Sequence, residues 1–120
     1  MRAAGQICAD DMTAHGTGVA PDAPRGPKFA QQHAEALRAA FTIEGLTADD
    51  VIVAGDKVAI RWTFRGTHTG PYMGLEPTGR RVTLEGIDIF RVEHGKITEF
   101  WNGRDLLSLA EQIGAIALPH

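Results

Sequence analysis

A single cysteine, Cys8, stands among the 120 residues. No intramolecular disulfide can close, and no ligands at metal spacing accompany the thiol, so it reads as a small core residue or a chance thiol. Long apolar runs are also missing; stretches such as Val51 to Ala54 are too short to cross a bilayer. The N-terminus lacks the charged region and apolar stretch of a secretion signal, which predicts a cytoplasmic protein with no membrane partner. Positive charge is scarce: 12 Lys and Arg face 15 Asp and Glu, for a net charge of −3. Without a basic field to meet phosphate backbones, nucleic acid is excluded as a partner. What remains is an ordinary globular composition, 43% hydrophobic and 22% charged. The 14 glycines and 6 prolines are too many for a helical bundle and suggest many turns between strands. The length argues for one domain over residues 1–120.

No apolar periodicity can be read in GTGVAPDAPRGP, residues 16–27, which is therefore a loop or lid. From Pro27 to Phe41 the apolar residues recur at helical spacing, with the proline where a first turn tolerates it. The inward stripe of this helix, Phe29, Leu37 and Phe41, also carries His33. The period then changes to two. A hairpin is predicted from residues 49–54 and 57–65 around Gly55-Asp56, and a second from 82–92 and 97–102 around His94-Gly95. A Gly- and Pro-rich connection over 66–79 joins them. Asp105 is placed to start a closing helix, LLSLAEQI, that Gly114 ends in a left-handed cap. Helix, antiparallel strands and a short final helix make an α+β domain without internal repeats.

The elements GTHTG (66–70), PTGRRV (77–82), GIDIFRVEHGKITEFW (86–101) and Asp105-Leu106-Leu107 resemble the SnoaL-like polyketide cyclase branch of the NTF2-like superfamily. The similarity extends back through GDKVAIRWTF, GPKFAQQHAEALRAAF and ADDMTAHG, over about residues 9–114. The resemblance implies an NTF2-like cone: a strongly curved antiparallel sheet wrapped around helices, enclosing an apolar cavity, commonly dimerising through its outer face. It also implies a cofactor-free intramolecular aldol reaction on an aromatic polyketide ester, with an aspartate of the last strand as the acid/base. Members usually begin with a long amphipathic helix over the open end of the cone. Here only MRAAGQICA precedes the similarity, so that helix is expected to be shortened or missing. On the cyclase pattern, Asn102 stands where those enzymes carry the catalytic aspartate.

An aldol cyclisation needs a base beside a carbon next to a carbonyl, and a donor to the oxygen that gains charge. An amide cannot be that base at any pH, so Asn102 is read as an orienting hydrogen-bond partner. Asp88 shares strand parity with Val82, Leu84, Phe90 and Val92 and lies between Ile87 and Ile89. It is the candidate base, since burial raises a carboxylate's pKa toward neutrality. The alternative is an Asp88 locked to Arg61 or Arg104. His33 matches a ligand-facing position of the cyclases and completes the catalytic set as a base or donor near neutral pH; the alternative is a core histidine. His68 is read as fixing its loop, and His15 as standing near the cavity mouth without further metal ligands. Phe29, Leu37, Trp62, Tyr72, Met73, Phe90 and Phe100 are candidates for the walls of a pocket for a small hydrophobic molecule. Adjacent Phe100 and Trp101 must face opposite sides of the sheet, and parity with Asn102 puts Phe100 inside.

Three functions stay open at this point. The first is cofactor-free acid/base cyclisation of a hydrophobic carbonyl compound. The second is a non-catalytic carrier or sensor using the same cone. The third is an isomerase or epoxide hydrolase on the same scaffold. A homodimer is expected in each case.

Overall fold

A computed structural model describes residues 7–16, 19 and 22–117. Its elements are β1 (Cys8–Gly16), α1 (Pro27–Ala40), β2 (Phe41–Ala54), β3 (Lys57–His68), β4 (Arg81–Glu93), β5 (Lys96–Arg104) and α2 (Leu106–Ile113). They form one five-stranded sheet in the order β1-β5-β4-β3-β2. The pairs from β2 to β5 are antiparallel, and β1 adds along β5 in parallel. The architecture is α+β with a curved sheet, as expected from sequence.

Three boundaries differ from the expectation, each for a physical reason. Cys8 and Ala9 belong to β1, a strand whose parallel pairing to β5 is specified from the far end of the chain. The rest of the expected helix-poor N-terminus, residues 1–6, lies outside the described residues. Phe41 opens β2 instead of closing α1: its φ of −133° is extended, while its N–H still bonds the Leu37 carbonyl. β2 also runs through residues 42–48, where alternation by two is broken by register shifts that set Glu44 and Asp49 aside as bulge residues. Thr67 donates to Glu44 and Thr63 donates to Asp49, so both bulged carboxylates are tied to β3. Bulges of this kind bend a strand and discourage pairing along a free edge.

The closing helix forms as expected. Asp105 accepts a hydrogen bond from the Ser108 N–H at 2.9 Å, and Gly114 sits at φ 86°, where a side chain would be strained.

Two apolar clusters flank the middle of the concave face. Phe41, Phe64, Val82, Leu84, Leu109 and Ile113 pack between the sheet and α2. Cys8, Met12, Phe29 and Phe100 pack beneath α1. Burial raises the Cys8 thiol pKa, in keeping with a core role.

Candidate active site

Between the two clusters, one cross-strand row carries polar groups. Ile60 of β3 pairs with Asp88 of β4, and Asp88 pairs with Asn102 of β5. The Asn102 amide donates from Nδ2 to Asp88 Oδ1 at 2.8 Å. Alternation along β4 points Val82, Leu84 and Asp88 to the concave side, while Ile87, 55% exposed, faces outward. Asn102 is buried and Asp88 half-buried, with Phe90 and Phe100 stacked on one side of the row.

Burial raises the Asp88 pKa above its ordinary value. Part of that rise is offset by the neighbouring Trp62 indole, the Asn102 amide, the Gly103 N–H and the charge of Arg104. Trp62 Nε1 sits near the carboxylate yet falls outside hydrogen-bond geometry with any described residue, so its effect is that of a nearby dipole. No arginine is ion-paired to Asp88 among the described residues. Arg61 is taken by Asp50 at 2.7 Å and by Asp49 at 3.7 Å on the outer face.

Asp88, Asn102 and His33 all line one pocket of about 340 Å³. Its apolar walls are Leu37 of α1, Leu46 and Ala48 of β2, and Trp62 of β3. Leu46, at the pocket's edge, is 65% exposed. A neighbouring pocket of about 420 Å³ shares His33, Leu37 and Arg104 with it and adds Phe29, Tyr72 and the loop residues Asp22 to Pro24. His33 stacks on Phe29 with ring centroids 5.7 Å apart. Its pKa is lowered, first by burial and then by the charge of Arg104, so the neutral imidazole is favoured near pH 7.

Four of the seven proposed wall residues, Phe29, Leu37, Trp62 and Tyr72, line these pockets. Three do not. Phe90 and Phe100 pack with Phe29 in the cluster under α1, one row beyond the polar pair. Met73 is exposed in the turn that pairs Tyr72 with Leu75, at φ 51°. Phe100 and Trp101 do face opposite sides, Trp101 stacking on His15. His15 therefore lies on the outer face, bonded to Glu99 at 2.9 Å, where it lines a separate pocket that shares Ala23 and Pro24 with the one beside His33. His68 is fully buried and its Nδ1 bonds Thr78 Oγ1 at 2.9 Å, fixing the loop that follows β3.

Two site features escaped notice in the sequence. From sequence Arg104 is expected only as a partner for Asp88, although two-residue spacing from Asn102 puts it on the same face. Leu46 and Ala48 were hidden by the bulges that break the alternation of β2.

The family model described as SnoaL-like polyketide cyclase matches residues 1–113. Among solved structures, TsrD from Streptomyces laurentii shares 31% identity at a TM-score of 0.84, covering 96% of this chain and 83% of its own. Wild-type IdmH from Streptomyces antibioticus, described as a candidate polyketide cyclase, shares 30% identity at a TM-score of 0.75, covering 94% and 86%. AclR from Streptomyces galilaeus, described as a candidate hydroxylase, shares the fold at 24% identity and a TM-score of 0.72, covering 91% and 79%. No curated protein matches the chain significantly.

Proposed function

We propose that this chain, which belongs to the SnoaL-like polyketide cyclase family, catalyses an aldol-type cyclisation of a hydrophobic carbonyl compound with Asp88 as the base. Asp88 takes a proton from a carbon beside a carbonyl, and the freed electron pair passes into the enolate. The enolate carbon attacks a second carbonyl of the same molecule, forming the ring bond. The proton on Asp88 then moves to the new alkoxide, restoring the carboxylate. Atoms and charge balance without a cofactor. Asn102 holds the carboxylate through its amide and leaves the base role to Asp88. Neutral His33 serves as a second hydrogen-bonding group, and Phe29, Leu37, Trp62 and Tyr72 supply apolar surface to a flat substrate.

The observation that carries this reading is a half-buried Asp88 on the pocket wall, held by an amide and not by an arginine. Incubation with aromatic polyketide-type esters, followed by liquid chromatography and mass spectrometry, tests it. A cyclised isomer, or its dehydrated product, is expected with the wild type and should be lost with Asp88→Asn. Asn102 in place of the family's aspartate favours a second reading, a carrier that binds such compounds without converting them. Saturable binding with no isomer formed would select the carrier.

We further propose a homodimer through the outer sheet face, where Ile52, Ile87 and Ile89 are exposed beside Trp101. Light scattering on Ile89→Glu should report a monomer, against a dimeric wild type.

A further inference from the structure

Buried side-chain N–H groups are ordinarily satisfied within the protein, because a buried donor without an acceptor loses its water and gains nothing. Among the described residues, four buried side-chain polar atoms have no hydrogen-bond partner: Trp62 Nε1, His68 Nε2, Asn102 Oδ1 and Arg104 Nε. Three of these belong to residues lining the Asp88 pocket. Two of the three are donors, and they share one cross-strand row, since Trp62 pairs with Gly86 and Gly86 pairs with Arg104.

Gly86 is what lets the row work. A Cβ at that position would lie 2.6 Å from Trp62 Cε2 and 2.3 Å from Cζ2. The Cε2–Cζ2 edge of the indole, next to the ring nitrogen, therefore lies over Gly86 of β4, with the N–H near Asp88. Asp88 is two residues further along β4 on the same face. Arg104 makes no ion pair within 4 Å among the described residues, its Nε has no hydrogen-bond partner, and its charge is felt by Asp88 at the pocket wall. A base beside two buried donors that lack hydrogen-bond partners, one of them charged, suits a substrate whose oxygen becomes negative when the base removes a proton and neutralises itself.

Resting on Asp88 as the base, we propose that the Trp62 indole N–H and the Arg104 guanidinium form the oxyanion site of this pocket, holding the enolate oxygen over Gly86. The substrate class that fits is a planar conjugated enol former, such as an aryl β-keto ester, whose charge is spread toward one oxygen. Asp88 acts on the carbon; Trp62 and Arg104 act on the oxygen of the same carbonyl unit.

Phenolates mimic such an enolate, and 4-nitrophenol reports its own ionisation by absorbance. Its uncharged counterpart, 4-nitroanisole, reports the apolar pocket alone. Asp88→Asn stands for the enzyme after the base has taken its proton, so it should bind 4-nitrophenolate about tenfold or more tightly than the wild type. In that background, Trp62→Phe and Arg104→Met should each weaken phenolate about tenfold or more, while 4-nitroanisole changes less than about threefold. Trp62→Phe keeps the ring and Arg104→Lys keeps the charge, so these two carry the test if Arg104→Met does not fold; Arg104→Lys should retain most of the phenolate preference. If neither Trp62→Phe nor the Arg104 variants alter the preference for phenolate over anisole, while Asp88→Asn still tightens phenolate, the oxyanion site is refuted and the base survives. Equal phenolate binding by Asp88→Asn and wild type, or no binding of either probe to Asp88→Asn, refutes both.

Discussion

Gly86→Ala strikes the element on which the pocket depends. The added methyl group would lie 2.3 Å from Trp62 Cζ2, 2.6 Å from Cε2 and 2.5 Å from the Gly103 carbonyl oxygen. Ordinary carbon–carbon contacts fall near about 3.5–4.0 Å, so the indole must retreat by more than about 1 Å. Movement of the side chain alone does not relieve the clash, because the Gly103 oxygen belongs to β5 and is held in the sheet. Overpacking of this kind costs about 1–3 kcal/mol. For a domain of this length that corresponds to a fall in Tm of about 4–15 °C, read by calorimetry. A second readout follows the indole itself. The chain has two tryptophans, so in a Trp101→Phe background the emission reports Trp62 and should shift to the red as the ring is pushed toward solvent. Gly103→Ala, whose new methyl would meet only the Ile87 carbonyl oxygen, at 3.0 Å, is the milder comparison. A Gly86→Ala variant with wild-type Tm and unshifted emission would refute the claim that Trp62 lies across Gly86.

Asp88→Asn should stabilise the protein at neutral pH. Burial raises the folded-state pKa of Asp88, so its favourable contribution is complete below the unfolded value, about 3.9, and is lost as pH rises through the folded value. Urea denaturation should therefore show a gain for the variant at pH 7 that closes below about pH 4; a gain that grows toward acid would contradict the burial of the carboxylate. Thr78→Val removes the hydroxyl that bonds the fully buried His68, leaves the residue 78 N–H as its remaining partner, and should cost about 0.5–1.5 kcal/mol, with faster amide exchange over residues 69–80. Unchanged exchange there would show that this bond does not fix the loop.

What could be read from sequence was whatever local chemistry decides. The helix from Pro27, the His94-Gly95 turn and the Asp105 to Gly114 helix each carry their own start or stop signal, and each appears within a residue or two of its expected place. That Asp88 and Asn102 face the same side followed from parity on each strand, while their direct pairing is a matter of the β4–β5 register. What could not be read was set by tertiary contact. β1 has no strong alternation and is a strand because β5 offers it a parallel edge. β2 was half-seen because the bulges at Glu44 and Asp49 break the period on which strand reading relies. Phe90 and Phe100 were assigned the correct face but the wrong depth, since parity selects a side of the sheet and not a position along it. Arg104 is visible in the sequence as a charge near Asp88, yet only the fold shows that Asp50 holds Arg61 on the outer face while Arg104 lines the pocket.

The central claim, that Asp88 removes a proton from carbon, is tested most directly by deuterium exchange into a carbonyl compound, because exchange reports proton abstraction alone. A bicyclic aryl β-keto ester in deuterium oxide, followed by proton NMR, should lose its α-proton faster with the wild type than in buffer, and at the buffer rate with Asp88→Asn. Exchange that Asp88→Asn leaves at the wild-type rate, or that the wild type does not accelerate, would contradict it.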